Sequence, residues 1–241
     1  MRTTPAALSV ALFSLLASSQ TLAQTPVGSD HDMAGASMDM AMGDSTLSMK
    51  HMRMTPSWPL QPGDSARADS VVRVARVALA KYTDVSVAEQ DGYRMFAPKV
   101  KQRVYHYTRR MNALKARMSF DPTEPSSLLY APLPDGKVRL IGAMYTASPD
   151  MSLDDLNRRI PLSIAQWHQH TSLCLPPGSG RVHGGDEMAL GNRDPRFGVR
   201  GSISTEEECK AAGGEFHRRM FGWMVHVNLF GDDAHLWEHR H

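Results

Sequence analysis

Two histidines one residue apart, His168 and His170, sit in a run from Ile164 to Leu173 that reads as a β-strand. Successive strand side chains point to opposite faces, so residues at i and i+2 share a face. Two imidazoles placed that way can reach one metal ion. A second strand-like run, residues 221–230, carries His226, and Val104-Tyr105-His106-Tyr107 carries His106. In the later run Phe221, Trp223, Val225, Val227 and Leu229 form an apolar face, with Met224, His226 and Asn228 opposite. With these strands as neighbours, His168, His170, His226 and His106 are the candidate ligands of one centre. Three imidazoles with an open position suit zinc, and imidazole also suits copper. Met224 reads as packing, because methionine commonly fills gaps. Nothing in the sequence places His183 or His217 on the same face.

Upstream, residues 24–62 hold few large apolar side chains but many methionines, among them Met38, Met40 and Met42, then His51, Met52 and Met54. Such a composition cannot bury a core and reads as a disordered arm. Thioether sulfur is a soft donor suited to Cu(I). The Met-x-Met-x-Met and His-Met-x-Met spacings let neighbouring side chains converge on one ion.

Residues 1–23 combine Arg2, a short apolar stretch and a small residue, Ala23, before a plausible cut. That is the pattern of a secretory signal peptide, too short to span a membrane. A periplasmic or secreted protein is expected, with no membrane association after cleavage. Export favours oxidation, so Cys174 and Cys209 are expected to form a disulfide. Its loop of about 35 residues would stabilise by about 3–4 kcal/mol on the chain-entropy model. Thiolate ligation of a metal is the alternative use of the pair.

Lysine plus arginine number 27 against 25 acidic residues, and no basic stripe stands out. This argues against a nucleic-acid partner. The chain has no Gly-rich phosphate loop, no His-Glu-x-x-His helix and no Gly-x-Ser-x-Gly elbow.

These residues need a scaffold. Asp64-Ser65 can cap a helix whose apolar positions Val71, Val74, Ala75 and Ala78 keep helical spacing. A shorter helix is expected from Val85 to Gln90, stopped by Gly92. Residues 128–130 and 138–145 flank Pro134-Asp135-Gly136 and should pair as a hairpin. Capping boxes open short helices at Ser152 and at Ser204-Thr205. The order predicts an α+β domain over residues 63–231: a single antiparallel sheet of four or five strands, with N-terminal helices packed on one face. Residues 232–241 form a tail containing His235, His239 and His241.

The stretches Tyr105-His106-Tyr107, Ser127-Leu128-Leu129-Tyr130, residues 138–145, Trp167-His168-Gln169-His170 and residues 223–228 carry a resemblance. Over roughly residues 66–231 the chain resembles a family of uncharacterised exported bacterial proteins. The resemblance implies export and one compact domain, and no catalytic role.

The expectation from sequence is an exported copper-binding protein, its ion held by the domain histidines and gathered by the arm, serving copper tolerance or delivery. A secreted metalloenzyme with a zinc or copper centre of three or four histidines is the first alternative. A structural or partner-binding domain without metal is the second. The sequence names no protein partner.

Overall fold

Seven strands hydrogen-bond into one antiparallel sheet in a computed structural model that describes residues 50–98, 101–178, 194–231 and 235–237. In chain order these are β1 (Met52–Met54), α1 (Asp64–Leu79), a 3-10 turn (Ala80–Thr83), α2 (Val85–Gln90), β2 (Arg94–Met95), β3 (Tyr105–Thr108), α3 (Arg110–Lys115), β4 (Ser127–Pro132), β5 (Val138–Ala147), α4 (Leu153–Arg159), β6 (His168–Leu175), α5 (Glu206–Ala211) and β7 (Glu215–Val227). Across the sheet the order is β1-β6-β7-β5-β4-β3-β2. Residues 1–49, with the expected signal peptide and Met38, Met40 and Met42, lie outside the described residues, as do His183, His239 and His241.

The expected sheet of four or five strands under N-terminal helices is corrected. The sheet has seven strands. Of the five helices among the described residues, only α1 and α4 reach seven residues. The two unforeseen strands, β1 and β2, are three and two residues long. Runs that short show no readable alternation. They exist because β6 and β3 offer them unpaired backbone groups.

A second correction concerns the arm. Residues 50–62, assigned to it on composition, are part of the fold. Met52–Met54 pairs with β6, Thr55 N–H donates to Trp167 O at 2.8 Å, and Trp58 N–H donates to Leu162 O at 3.2 Å. The hydrogen bonds of an existing edge hold this stretch, so it needs little apolar surface of its own. At the other end, Leu236 and Trp237 pack against the core, and Asn228 N–H donates to Leu236 O.

Helix α1 follows Gly63, whose φ of 90° suits glycine. The Asp64 carboxylate accepts from Gln61 N–H, Arg67 and the Ser163 hydroxyl, which ties the helix start to the segment before β6. Its buried stripe is Ala68, Val71, Val72, Ala75 and Leu79, while Val74 and Val77 face outward. This stripe covers one sheet face, formed by Tyr107, Leu128, Tyr130, Ala143, Tyr145, Trp223, Val225 and Val227. The buried phenols find partners: Tyr130 donates to Tyr82 O and Tyr145 to Pro122 O, both at 2.7 Å.

The Pro134-Asp135-Gly136 turn joins β4 to β5 as an antiparallel hairpin. Thr205 caps α5 by accepting from Glu208 N–H, and Ser152 caps α4 by accepting from Asp155 N–H. Cys174 of β6 and Cys209 of α5 form a disulfide, with Cα atoms 5.5 Å apart. Around it Phe197 and Ile203 complete a small second core.

Candidate metal centre

Side chains alternate across the sheet, so the face opposite the main core carries His106 on β3, Met144 on β5, Met224 and His226 on β7, and His168 on β6. In the sheet order, β3 and β7 are separated by β4 and β5. Strands lie about 4.8 Å apart, so a flat sheet would keep β3 and β7 roughly 14 Å apart. The His106 and His226 ring centroids nevertheless lie 5.5 Å apart. Phe96, just beyond β2, likewise meets Phe221 of β7 with centroids 6.3 Å apart. The sheet therefore curls toward this face and makes it concave.

Local sequence explains the curl. The β4–β5 register shifts between Leu129 and Tyr130, and a bulge bends its strand and increases twist. Gly142, beside Leu129, approaches β7 so closely that a Cβ there would sit 2.0 Å from Val227 O. A second shift separates His168 from His170. Phe221 on β7 and Ser172 on β6 have φ of 63° and 56°, a region that non-glycine residues occupy uncommonly.

The four histidines singled out from sequence come together as a chain of ring contacts. His106 meets His226 at 5.5 Å, His226 meets His168 at 5.2 Å, and His168 meets His170 at 5.7 Å. Two imidazoles bound to one tetrahedral ion, with metal–nitrogen distances of about 2.0–2.1 Å, hold their centroids roughly 5 Å apart. The observed spacings are close to that value. Among the described residues no group of three His, Cys, Asp or Glu side chains is closed to coordinating geometry. The rings are thus adjacent in a continuous run, at the centroid spacings given above.

His168 and His226 are buried, at 1% and 6% exposure, and His106 and His170 are partly buried. Desolvation lowers the pKa of His106 to about 4, and the charge His170 would carry adds to the effect. A hydrogen bond with the Val104 backbone opposes it. The pKa of His170 is lowered as well, first by desolvation, while a bond to the His51 backbone acts the other way. His106 and His170 therefore stand as neutral imidazoles at neutral pH, the form a metal requires. The buried Nδ1 of His170 has no hydrogen-bond partner among the described residues.

Methionines surround these rings. His168 lies directly across from Met54 on β1 and Met224 on β7. His170 lies across from Met52 and Met220, and His226 from Met144. Met224, read from sequence as packing, thus sits beside the centre. Met144 and Met220 drew no attention from sequence, although the alternation Gly142, Met144, Thr146 along β5 carries the signal.

Other sequence candidates fall elsewhere. His51, expected among the arm ligands, is buried with Nδ1 2.9 Å from Ser172 O and Nε2 2.7 Å from Gly201 O. Both nitrogens are engaged in holding β1 against β6 and the 198–201 turn. His217 of β7 pairs with Leu173 of β6 and alternates onto the face opposite Met220. The disulfide takes Cys174 and Cys209 out of the pool of thiolate ligands. No helix among the described residues is long and apolar enough to cross a membrane. No family model matches the chain, and comparisons with curated proteins and with solved structures give no match.

Proposed function

We propose that this chain is an exported metal-binding protein whose ion, copper in preference to zinc, is held on the concave sheet face by His168, His170, His226 and His106. The observation that carries the reading is the unbroken run of ring contacts from His106 through His226 and His168 to His170. Side chains from three separate strands meet there, and imidazole is the commonest side-chain metal ligand. Export rests on the signal-like residues 1–23. The role is tolerance or delivery, with Met38, Met40 and Met42 of the arm gathering Cu(I).

A secreted hydrolytic metalloenzyme would use the same imidazoles plus a general acid or base. The register partners of the four histidines are Leu129, Met54, Met224, Met52, Met220 and Met144, none of them a carboxylate. This favours binding over hydrolysis.

The test is titration of metal-free protein, purified without metal-affinity resin, with Cu(II) and Zn(II) by calorimetry. One tight divalent site per chain is expected, lost in the His168→Ala, His226→Ala double variant. Equal stoichiometry in the variant and the parent chain would refute the proposal.

A further inference from the structure

Methionine supplies 16 of the 241 residues, yet five of the six residues registered directly across from the four site histidines are methionine, the sixth being Leu129 opposite His106. At that frequency, five out of six is far outside chance. Core filling does not account for it either. The main core on the other sheet face is built of Val, Leu, Ile, Ala, Tyr and Trp, with no methionine among its fully buried members. The methionines are concentrated where the imidazoles are.

We infer that Met54, Met144 and Met224 are the soft half of a mixed thioether–imidazole site inside the folded domain, built for a monovalent soft cation, Cu(I) or Ag(I). The inference rests on reading the concave face as a metal centre and specifies what that centre takes. Directly opposed residues in an antiparallel pair have Cβ atoms about 4.5–5.5 Å apart. A methionine has three rotatable bonds, so its sulfur reaches an ion held by the neighbouring ring. Met54 and Met224 flank His168 from the two sides, and Met144 flanks His226. The two buried histidines therefore bring three thioethers with them, drawn from three different strands. Thioethers select Cu(I) over harder ions, whereas imidazole accepts Cu(I), Cu(II) and Zn(II) alike. The domain thus holds its own soft site, distinct from the arm upstream. Because Met54 lies on β1, it couples formation of the soft site to docking of that edge strand.

The experiment uses the full chain with Met33, Met38, Met40, Met42 and Met49 replaced by Leu, so that upstream sulfur does not contribute. In that background Met54→Leu, Met144→Leu and Met224→Leu are combined. Leucine conserves volume and apolarity, so packing is kept. Affinity for Cu(I) is measured by competition with a chromophoric Cu(I) chelator, and affinity for Zn(II) by calorimetry. The expected result is at least a tenfold loss for Cu(I), with Zn(II) changed by less than threefold. Equal Cu(I) affinity before and after the triple change, with a zinc site that still depends on His168 and His226, overturns this inference alone. Zinc binding indifferent to His168 and His226 overturns the metal-centre reading beneath it. Should the triple variant fail to fold, methyl-labelled methionine NMR of the Met-arm background titrated with Ag(I) decides the question. The Met54, Met144 and Met224 methyl signals are expected to shift with a one-ion stoichiometry, and their immobility overturns the inference.

Discussion

The rings of His106 and His226 lie 5.5 Å apart although two strands intervene between β3 and β7. Sheet curvature, and not strand adjacency, makes them neighbours. Sequence alternation correctly sorts the histidines onto one side, because it depends only on residue parity. It has no means of registering curvature, which arises from the Leu129/Tyr130 bulge and the close backbone approach at Gly142.

That dependence gives a first prediction, at Gly142. A methyl group there meets Val227 O at 2.0 Å, a backbone atom that cannot swing aside. Gly142→Ala should lower stability by about 1–3 kcal/mol through overpacking. It should also weaken divalent metal binding, because relief of the clash opens the β5–β7 edge that carries His226. Denaturant melts and zinc calorimetry on one preparation would measure both. A variant that loses stability but keeps full zinc affinity would show that the curl at Gly142 does not position His226.

Acid should destabilise the metal-free fold for a specific reason. An unfolded histidine titrates near 6.5, whereas burial lowers His106 to about 4 and also lowers His170. Between those values the unfolded chain binds more protons than the folded one, so stability falls as pH falls. The penalty is absent above about pH 6.5 and complete below about 4. For His106 it amounts to roughly 3 kcal/mol at most. His106→Gln should flatten the drop over that window. A pH–stability curve of unchanged slope in the variant would rule out His106 as the source.

The disulfide closes a loop 35 residues long in sequence separation. Cys174→Ala with Cys209→Ala should lower stability by about 3–4 kcal/mol on the chain-entropy model. Zinc stoichiometry should not change, since the pair lies in the second core with Phe197 and Ile203. Loss of metal binding at full stability would contradict this separation.

Composition was a poor guide to residues 50–62. Residues 50–62 hold few large apolar side chains, and they are placed by the pairing of Met52–Met54 with β6, by backbone bonds from Thr55 and Trp58, and by Trp58 against the main core. His51 illustrates the point. Beside Met52 and Met54 it reads as a ligand, but both of its ring nitrogens face carbonyl oxygens. The hairpin, the caps at Ser152 and Thr205, the disulfide and the shared histidine face were legible because each rests on local spacing or residue type, whereas the cap expected at Asp64-Ser65 is not formed: Gly63 precedes α1 and no side chain caps it. The edge strands and the methionine partners were not, because register is a relation between distant segments. It follows that His51→Ala should destabilise by about 1–3 kcal/mol, because a buried carbonyl loses its donor. Copper stoichiometry should hold, and its loss in a folded variant would return His51 to the ligand set.

The last prediction concerns rank among the four histidines. His168 touches both His226 and His170, and His226 touches both His168 and His106, whereas His106 and His170 end the chain of contacts. An ion shared by three rings must include the two in the middle. His168→Ala and His226→Ala should therefore each abolish tight divalent binding. His106→Ala and His170→Ala should each weaken it by a smaller factor, because the remaining end ring completes a three-imidazole set. The His106, His170 double variant should then fall to the level of either middle variant, a loss greater than the two single losses predict. Calorimetric zinc titration of the five proteins against the parent chain reads this pattern. Equal losses at all four positions would mean that every ring is required, and the site would be a four-histidine centre with no open position.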